Sequence, residues 1–258
     1  MSENQFSNDF FIELNDKIEV KNKPYPHAYI KNFLPNQISE TISSDFKLPD
    51  KYPEAEDKVF QKTKKGLSKI DLMPNSIKSL IKKLNSKEFL SILEKKFNIK
   101  NLVADPTLFG GGMHESFKGG YLKIHSDFIF IKKRKLKRML NLLIYFNRNW
   151  NEKWGGAIEL WDQEMKDMFL KVYPHINNAV IFRTDYESNH GFPDPLKCPD
   201  DRSRRSIALY YYVQYEKLIK PKKNFYARWK KRPGVEESKF GDNLSFFKRL
   251  KNKFFFKT

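Results

Sequence analysis

Three residues of this chain have the types and spacing to hold one metal ion. His125-Ser126-Asp127 sets an imidazole and a carboxylate two positions apart. On an extended strand, residues i and i+2 point to the same face, so the two side chains would stand side by side. His190 follows 63 residues after Asp127, beyond about four candidate strands. In a barrel-like fold that is enough chain to return to the same interior. Two histidines and one carboxylate on one face of a metal leave three positions open. That suits a non-haem Fe(II) that must take O2 and a cosubstrate together. A structural zinc would want a closed shell, preferably with thiolates, and Cys198 is the one cysteine of the chain. His-x-Asp alone is a weak signal, because a core or surface histidine beside an unrelated aspartate is the commoner case. The assignment therefore rests on the features that agree with it.

The first of these lies downstream of His190. Arg202-Ser203-Arg204-Arg205-Ser206 opens the aromatic run Ile207–Val213. An arginine two positions before a serine at a strand start gives two groups on one side. A guanidinium fork grips a carboxylate bidentately, with a hydroxyl beside it. A metal together with a carboxylate-binding arginine reads as a site for a 2-oxo acid. Among the other histidines, His114 follows Gly110-Gly111-Gly112-Met113 and is a candidate for the pocket wall, since glycines allow close backbone approach to a ligand. His175, expected in a hairpin loop, and His27, in a proline-rich stretch, read as structural or surface residues.

The elements that must position these groups fall into three stretches. Residues 1–100 read as a mixed α/β support region. Pro35–Phe46 has apolar residues near helical spacing, and Asn75 to Lys96 reads as two short helices carrying Ile77, Leu80, Ile81 and Leu84, then Phe89, Leu90, Ile92 and Leu93. Residues 101–216 change texture to short β-branched or aromatic segments separated by Gly, Asn, Asp and Pro. Candidate strands are Gly119–Ile124, Met139–Phe146, Ala157–Trp161, Lys171–Pro174, Ala179–Phe182 and Ser206–Gln214. The near-continuous apolar run at Met139–Phe146 predicts burial on both faces. Asn177-Asn178 tolerates positive φ and predicts a tight hairpin between the fourth and fifth of these strands. Strands at roughly ten-residue spacing indicate a sandwich or barrel rather than βαβ units.

Residues 217–258 form a basic, aromatic tail. They hold 14 Lys and Arg against 3 Asp and Glu, out of a formal net charge of +18 for all 258 residues. Most of the positive charge is thus a property of the tail. A docked helix, a partner-binding segment, a membrane-surface anchor and a nucleic-acid binder all fit such a composition. A second basic run, Lys132 to Arg138, begins five residues after Asp127. It would either attract an anionic substrate to the pocket mouth or simply be a solvated loop. The chain is 40% hydrophobic and 15% aromatic, too apolar for a disordered protein. Met1–Val20 lacks a basic start followed by an apolar run, so no signal peptide is expected. With one cysteine, a reducing, cytoplasmic setting is the expectation.

Residues 120–213 resemble the Fe(II)/2-oxoglutarate-dependent dioxygenases of the prolyl 4-hydroxylase-like group. The matching pieces, in order, are Gly120-Tyr121-Leu122-Lys123-Ile124-His125-Ser126-Asp127, the stretch Arg138 to Asn147, Trp150, Trp154 to Leu160, Val172 to Phe182, Ser188-Asn189-His190-Gly191, and Arg204 to Tyr210. The resemblance implies a double-stranded β-helix, or jelly roll, within a mainly β protein with flanking helices (α+β). It implies His125, Asp127 and His190 as catalytic iron ligands, and Fe(II), 2-oxoglutarate and O2 as cofactor and cosubstrates, with ascorbate as an optional addition. Arg204 and Ser206 are implied to bind the distal carboxylate of 2-oxoglutarate. Arg205 is the competitor of Arg204, because a register slip of one residue exchanges their faces. Tyr145 and Tyr121 are implied cosubstrate contacts, with ordinary core aromatics as the alternative reading. The implied reaction hydroxylates a substrate with release of succinate and CO2. The substrate would be prolyl, peptidyl or an anionic small molecule such as a sugar derivative. The alternatives are a non-redox cupin-like barrel, and a protein that binds nucleic acid or a membrane surface through its tail. Nothing in the sequence assigns an oligomeric state.

Overall fold

The computed structural model describes residues 6, 9–48, 61–215 and 227–234. Within them lie four α-helices: α1 (Phe10–Lys17), α2 (Asn36–Asp45), α3 (Asn75–Leu84) and α4 (Lys87–Phe97). The strands are β1 (His27–Ile30), β2 (Gln61–Leu67), β3 (Leu102–Ala104), β4 (Gly112–Ser126), β5 (Phe130–Ile131), β6 (Leu136–Tyr145), β7 (Ile158–Trp161), β8 (Met168–Val172), β9 (Ala179–Arg183), β10 (Asn189–Phe192), β11 (Arg204–Gln214) and β12 (Arg228–Trp229). They form one continuous sheet in the order β1-β9-β6-β11-β4-β10-β7-β8, with β2 and β12 on β4, β3 on β11 and β5 on β6. The sheet curls into the expected double-stranded β-helix. No helix among the described residues is long and apolar enough to cross a membrane.

The curl depends on β4. Its residues Gly112 to Ser116 pair with β11, whereas Leu122 and His125 pair with β10. One 15-residue strand thus serves both halves of the barrel. It bends through Gly119, whose φ of +75° is a conformation that side chains with a Cβ rarely adopt. The sequence reading found only the second half of this strand.

β6 and β11 lie in the middle of the other half and are buried on both faces. Leu140, Leu142, Ile144, Ile207, Leu209 and Tyr211 join the helices in one apolar cluster. The intervening Asn141, Leu143, Ser206 and Tyr210 face the barrel cavity. Two buried faces explain why Met139–Phe146 reads as an apolar run without alternation. The helices close the outer face: α3 contributes Ile77, Leu80, Ile81 and Leu84, and α4 contributes Phe89, Leu93 and Phe97. Tyr211 anchors this layer by donating its hydroxyl to the Leu84 carbonyl at 3.0 Å. Ser86 caps α4 by accepting from the Phe89 amide, one of the amides that a helix start leaves unpaired. The first 100 residues also supply β1 and β2 to the barrel sheet itself.

One expected connection is different. Asn177 does take positive φ, +65°, but β8 and β9 do not form a hairpin. β8 pairs with β7, and β9 lies between β1 and β6. The turn carries the chain from one half of the barrel to the other. Asn177 fixes that crossing by bonding both the Leu34 amide and the Leu34 carbonyl, each at 2.8 Å. The anchor and nucleic-acid readings of the tail fall on residues 217–226 and 235–258, which lie outside the described residues. Residues 227–234 are described, and β12 pairs with β4 there, Trp229 opposite His125.

Candidate active site

β4 and β10 bring the three metal-ligating candidates together. His190 lies directly across from His125 in the ladder, and their rings are 4.5 Å apart between centroids. Asp127 follows just beyond the end of β4. Its Oδ1 is 3.5 Å from Nε2 of His125, and its Oδ2 is 3.6 Å from Nε2 of His190. One ligand atom from each of the three lies within 4.8 Å of the others. Both imidazoles are oriented from behind. Nδ1 of His125 is 2.9 Å from the Lys123 carbonyl, and Nδ1 of His190 is 2.8 Å from the Ser188 carbonyl. A carbonyl only accepts, so each Nδ1 carries a hydrogen, and Nε2 is the nitrogen that each ring turns inward. Burial, and next the neighbouring His125, lower the His190 imidazole to about 4, which keeps it neutral.

The carboxylate is held by β6. Asn141 donates to Oδ2 of Asp127 at 2.7 Å, and Nη1 of Arg138 forms an ion pair with the same oxygen at 2.9 Å. Burial opposes ionisation of Asp127, but the Arg138 guanidinium outweighs it and holds the carboxyl well below its usual range. The Arg138 guanidinium is stacked between Tyr210, 3.7 Å away, and Phe128, 4.1 Å away, and is 1% exposed. In the sequence it closes the basic run that reads either as an attractor of an anionic substrate or as a solvated loop. A β-bulge gives it a different place. Tyr211 and Tyr212 are adjacent on β11 but pair with Leu140 and Arg138. The extra residue, Met139, reverses the alternation and turns Arg138 to the face of Asn141. Of the remaining cations in that run, Arg134 pairs with Asp105 at 2.7 Å. None of Lys132 to Lys137 lines the cavity.

The cavity beside the triad has a volume of about 380 Å³. Arg204 and Ser206 line it on β11, with His114 and Ser116 on β4. Arg204 is buried. It donates Nε to the Gly156 carbonyl at 2.7 Å and Nη2 to the Tyr145 hydroxyl at 3.2 Å. Nη1 and the second Nη2 hydrogen remain to receive a ligand. Gly156 accommodates this packing: its φ is +76°, and a Cβ there would lie 3.0 Å from Arg204 Cδ and 2.7 Å from Leu196 Cδ2. Tyr145 is completely buried behind Arg204 and does not line the cavity, so its contact is with the arginine. Arg205 points to the opposite face, where Nε donates to Glu115 at 3.0 Å, and it is not in the cavity wall either.

Tyr121 is the other departure from expectation. The ladder pairs His190 with His125 but Phe192 with Leu122, three residues of β4 against two of β10. This bulge shifts the parity, so Leu122 rather than Tyr121 lines the cavity. Gly191 makes the bulge possible, because a Cβ there would fall 2.7 Å from both the Leu122 and Lys123 carbonyl oxygens. His27 is buried at the start of β1, with Nδ1 2.9 Å from the Tyr25 carbonyl. His175 is 3.1 Å from Glu152 at the surface. Both are structural.

Sequence reasoning missed several wall residues: Gln61 and Lys64 on β2, Asn141 on β6, and Ala227 and Trp229 at and just before β12. Asn141 left a trace, as a polar residue inside an apolar run. Trp229 packs against His125 with ring centroids 4.8 Å apart and planes tilted by 35°. Its segment is fastened by Arg232, whose Nη1 donates to Asp194 at 2.9 Å and lies 3.6 Å from Glu159.

The donor set suits a divalent metal of the non-haem iron type: two imidazoles, one anchored carboxylate and an open cavity on the remaining side. Residues 112–212 match the family model described as the 2OG-Fe(II) oxygenase superfamily. The fold is similar to a prolyl-4-hydroxylase of Pseudomonas putida, at 15% identity and a TM-score of 0.51, over 73% of this chain and 92% of that one. It is also similar to HygX of Streptomyces hygroscopicus, solved with nickel and 2-oxoglutarate, at 10% identity and a TM-score of 0.50, over 87% of this chain and 97% of that one. No curated protein matches the sequence.

Proposed function

We propose that this chain, whose residues 112–212 match the family model of the 2OG-Fe(II) oxygenase superfamily, hydroxylates a small-molecule or peptide substrate while 2-oxoglutarate is converted to succinate and CO2. The observation that carries this reading is the meeting of His125, Asp127 and His190 with Arg204 and Ser206 in the wall of one cavity.

When bound, the iron supplies the oxidative chemistry with O2 and 2-oxoglutarate. The protein contributes binding, orientation and exclusion of water. His125 and His190 would hold the metal through Nε2 and Asp127 through a carboxylate oxygen. Arg138 keeps Asp127 ionised. Arg204 would receive the far carboxylate of 2-oxoglutarate through the hydrogens that Gly156 and Tyr145 leave free, with the Ser206 hydroxyl beside it. Tyr145 positions Arg204 rather than touching the cosubstrate. Leu122, Leu143, Ile158 and Phe192 give the cavity apolar walls, which limit water around the reacting groups. Trp229 and Ala227 complete part of the cavity wall.

The test is anaerobic addition of Fe(II) and then 2-oxoglutarate to the full chain, with the visible charge-transfer band as readout, followed by air and a succinate assay. A band that needs both additions, with succinate formed even slowly without substrate, supports the reading. A folded, metal-loaded protein with no band and no succinate refutes it.

A further inference from the structure

Lys64 is a cation in the cavity wall that the residues assigned above leave without a task. β2 pairs with β4, and Lys64 lies opposite Ser116; β4 pairs with β11, and Ser116 lies opposite Arg204. Directly opposed residues on neighbouring strands share a face, and all three line the cavity. Successive strands are about 4.8 Å apart, so Lys64 and Arg204 stand in one row roughly 10 Å apart at their Cα atoms, with Ser116 between them. No carboxylate among the described residues forms an ion pair with Lys64, which is half-buried. Burial, and next the charge of Arg204, lower its ammonium to about 8, so it still carries a proton at neutral pH.

The charges facing the cavity are unbalanced. Arg138 and Asp127 neutralise each other. A divalent metal, Arg204 and Lys64 would together bring four positive charges against the two negative charges of the dianionic cosubstrate, so the excess is positive even with Arg204 on the distal carboxylate. That leaves Lys64 with no counter-charge, and an unpaired ammonium in a cavity wall is costly. Gln61, on the same strand, also lines the cavity. Resting on the dioxygenase reading, and deepening it, we infer that Lys64 binds an oxyanion of the substrate, a carboxylate or phosphate group, so that the substrate is an acidic molecule or an acidic peptide.

The experiment uses the full chain loaded with Ni(II), which keeps the site redox-inert, and saturated with 2-oxoglutarate. Inorganic phosphate and, separately, acetate are titrated in calorimetrically. The wild type binds at least one of them, and the one that binds distinguishes a phosphate from a carboxylate subsite. Lys64→Met weakens that binding at least tenfold, Lys64→Arg retains it, and the affinity for 2-oxoglutarate changes less than threefold in either variant. Freed of an unpaired charge, Lys64→Met melts no lower than the wild type. Equal anion binding in wild type and Lys64→Met, or none in the wild type, overturns the inference. A tenfold loss of 2-oxoglutarate affinity in Lys64→Met also overturns it, because Lys64 then serves the cosubstrate. If 2-oxoglutarate itself fails to bind the metal-loaded wild type, the dioxygenase reading fails, a result separate from the others.

Discussion

Asp127 receives its two partners from a single strand, Arg138 and Asn141 of β6, so anything that disturbs β6 reaches the metal site through this carboxylate. Removing the guanidinium leaves Asp127 buried with a weaker claim to its charge. Arg138→Met is expected to lower divalent-metal affinity about 10- to 100-fold, measured by anaerobic Fe(II) titration; unchanged affinity would show that Arg138 only packs. Lysine cannot replace it, since the contacts with Tyr210 and Phe128 need a flat cation. Arg204 and Arg205 can be separated in the same way. Arg204→Ala should weaken 2-oxoglutarate binding strongly. Arg205→Ala removes a partly exposed pair with Glu115, and should leave 2-oxoglutarate binding intact with a stability change of about 1 kcal/mol or less. The reverse ranking would place the clamp on the other face of β11.

Two bulges aim the site. One extra residue on β6 turns Arg138 inward, and one on β4 lets Leu122 and His125 face the same cavity. The β4 bulge depends on the missing side chain at Gly191. Gly191→Ala puts a methyl group against two carbonyl oxygens, and overpacking of this kind costs roughly 1–3 kcal/mol. His190 precedes this glycine and pairs with His125, so the variant should lose metal affinity as well as thermal stability. A fall in melting temperature with metal affinity unchanged would separate the bulge from ligand alignment. At this scale the lysines of α3 and α4 behave as a solvated face, while the opposite faces of both helices are buried against the sheet.

Across the whole molecule, burial keeps several histidines neutral. His114 is held well below the usual histidine range by burial, then by Lys64 and Arg204. His27 is lowered by burial, its bond to the Tyr25 carbonyl opposing. A group whose folded pKa lies below its unfolded value binds fewer protons in the folded state, so stability is complete above the unfolded value and is lost as pH falls. The metal-free protein should therefore lose thermal stability below about pH 6.5. His114→Gln should flatten that dependence between pH 6.5 and pH 5; an identical profile in the variant would remove His114 as a source. The same scale joins distant parts of the chain into one wall: β2 and β12 both pair with β4, bringing Lys64 and Trp229 to one cavity.

The sequence by itself determined the triad of candidates, the arginine–serine pair and the barrel class, because these depend on local spacing and on alternation within single strands. α2, α3 and α4 were legible for the same reason, with apolar residues at helical intervals. What only the tertiary structure decided depends on pairing between strands. The bulges exchange inside for outside at Tyr121 and Arg138. The register of β11 on β4 and β6 sends Arg204 into the cavity and Arg205 to Glu115. The turn at Asn177 crosses between the halves of the barrel instead of closing a hairpin. Lys64 acquires its neighbours from β4 and β11, which lie 52 and 140 residues further along the chain at Ser116 and Arg204. Side-chain direction in a sheet has a period of two, so a single inserted residue reverses it, and an insertion is visible only against the partner strand.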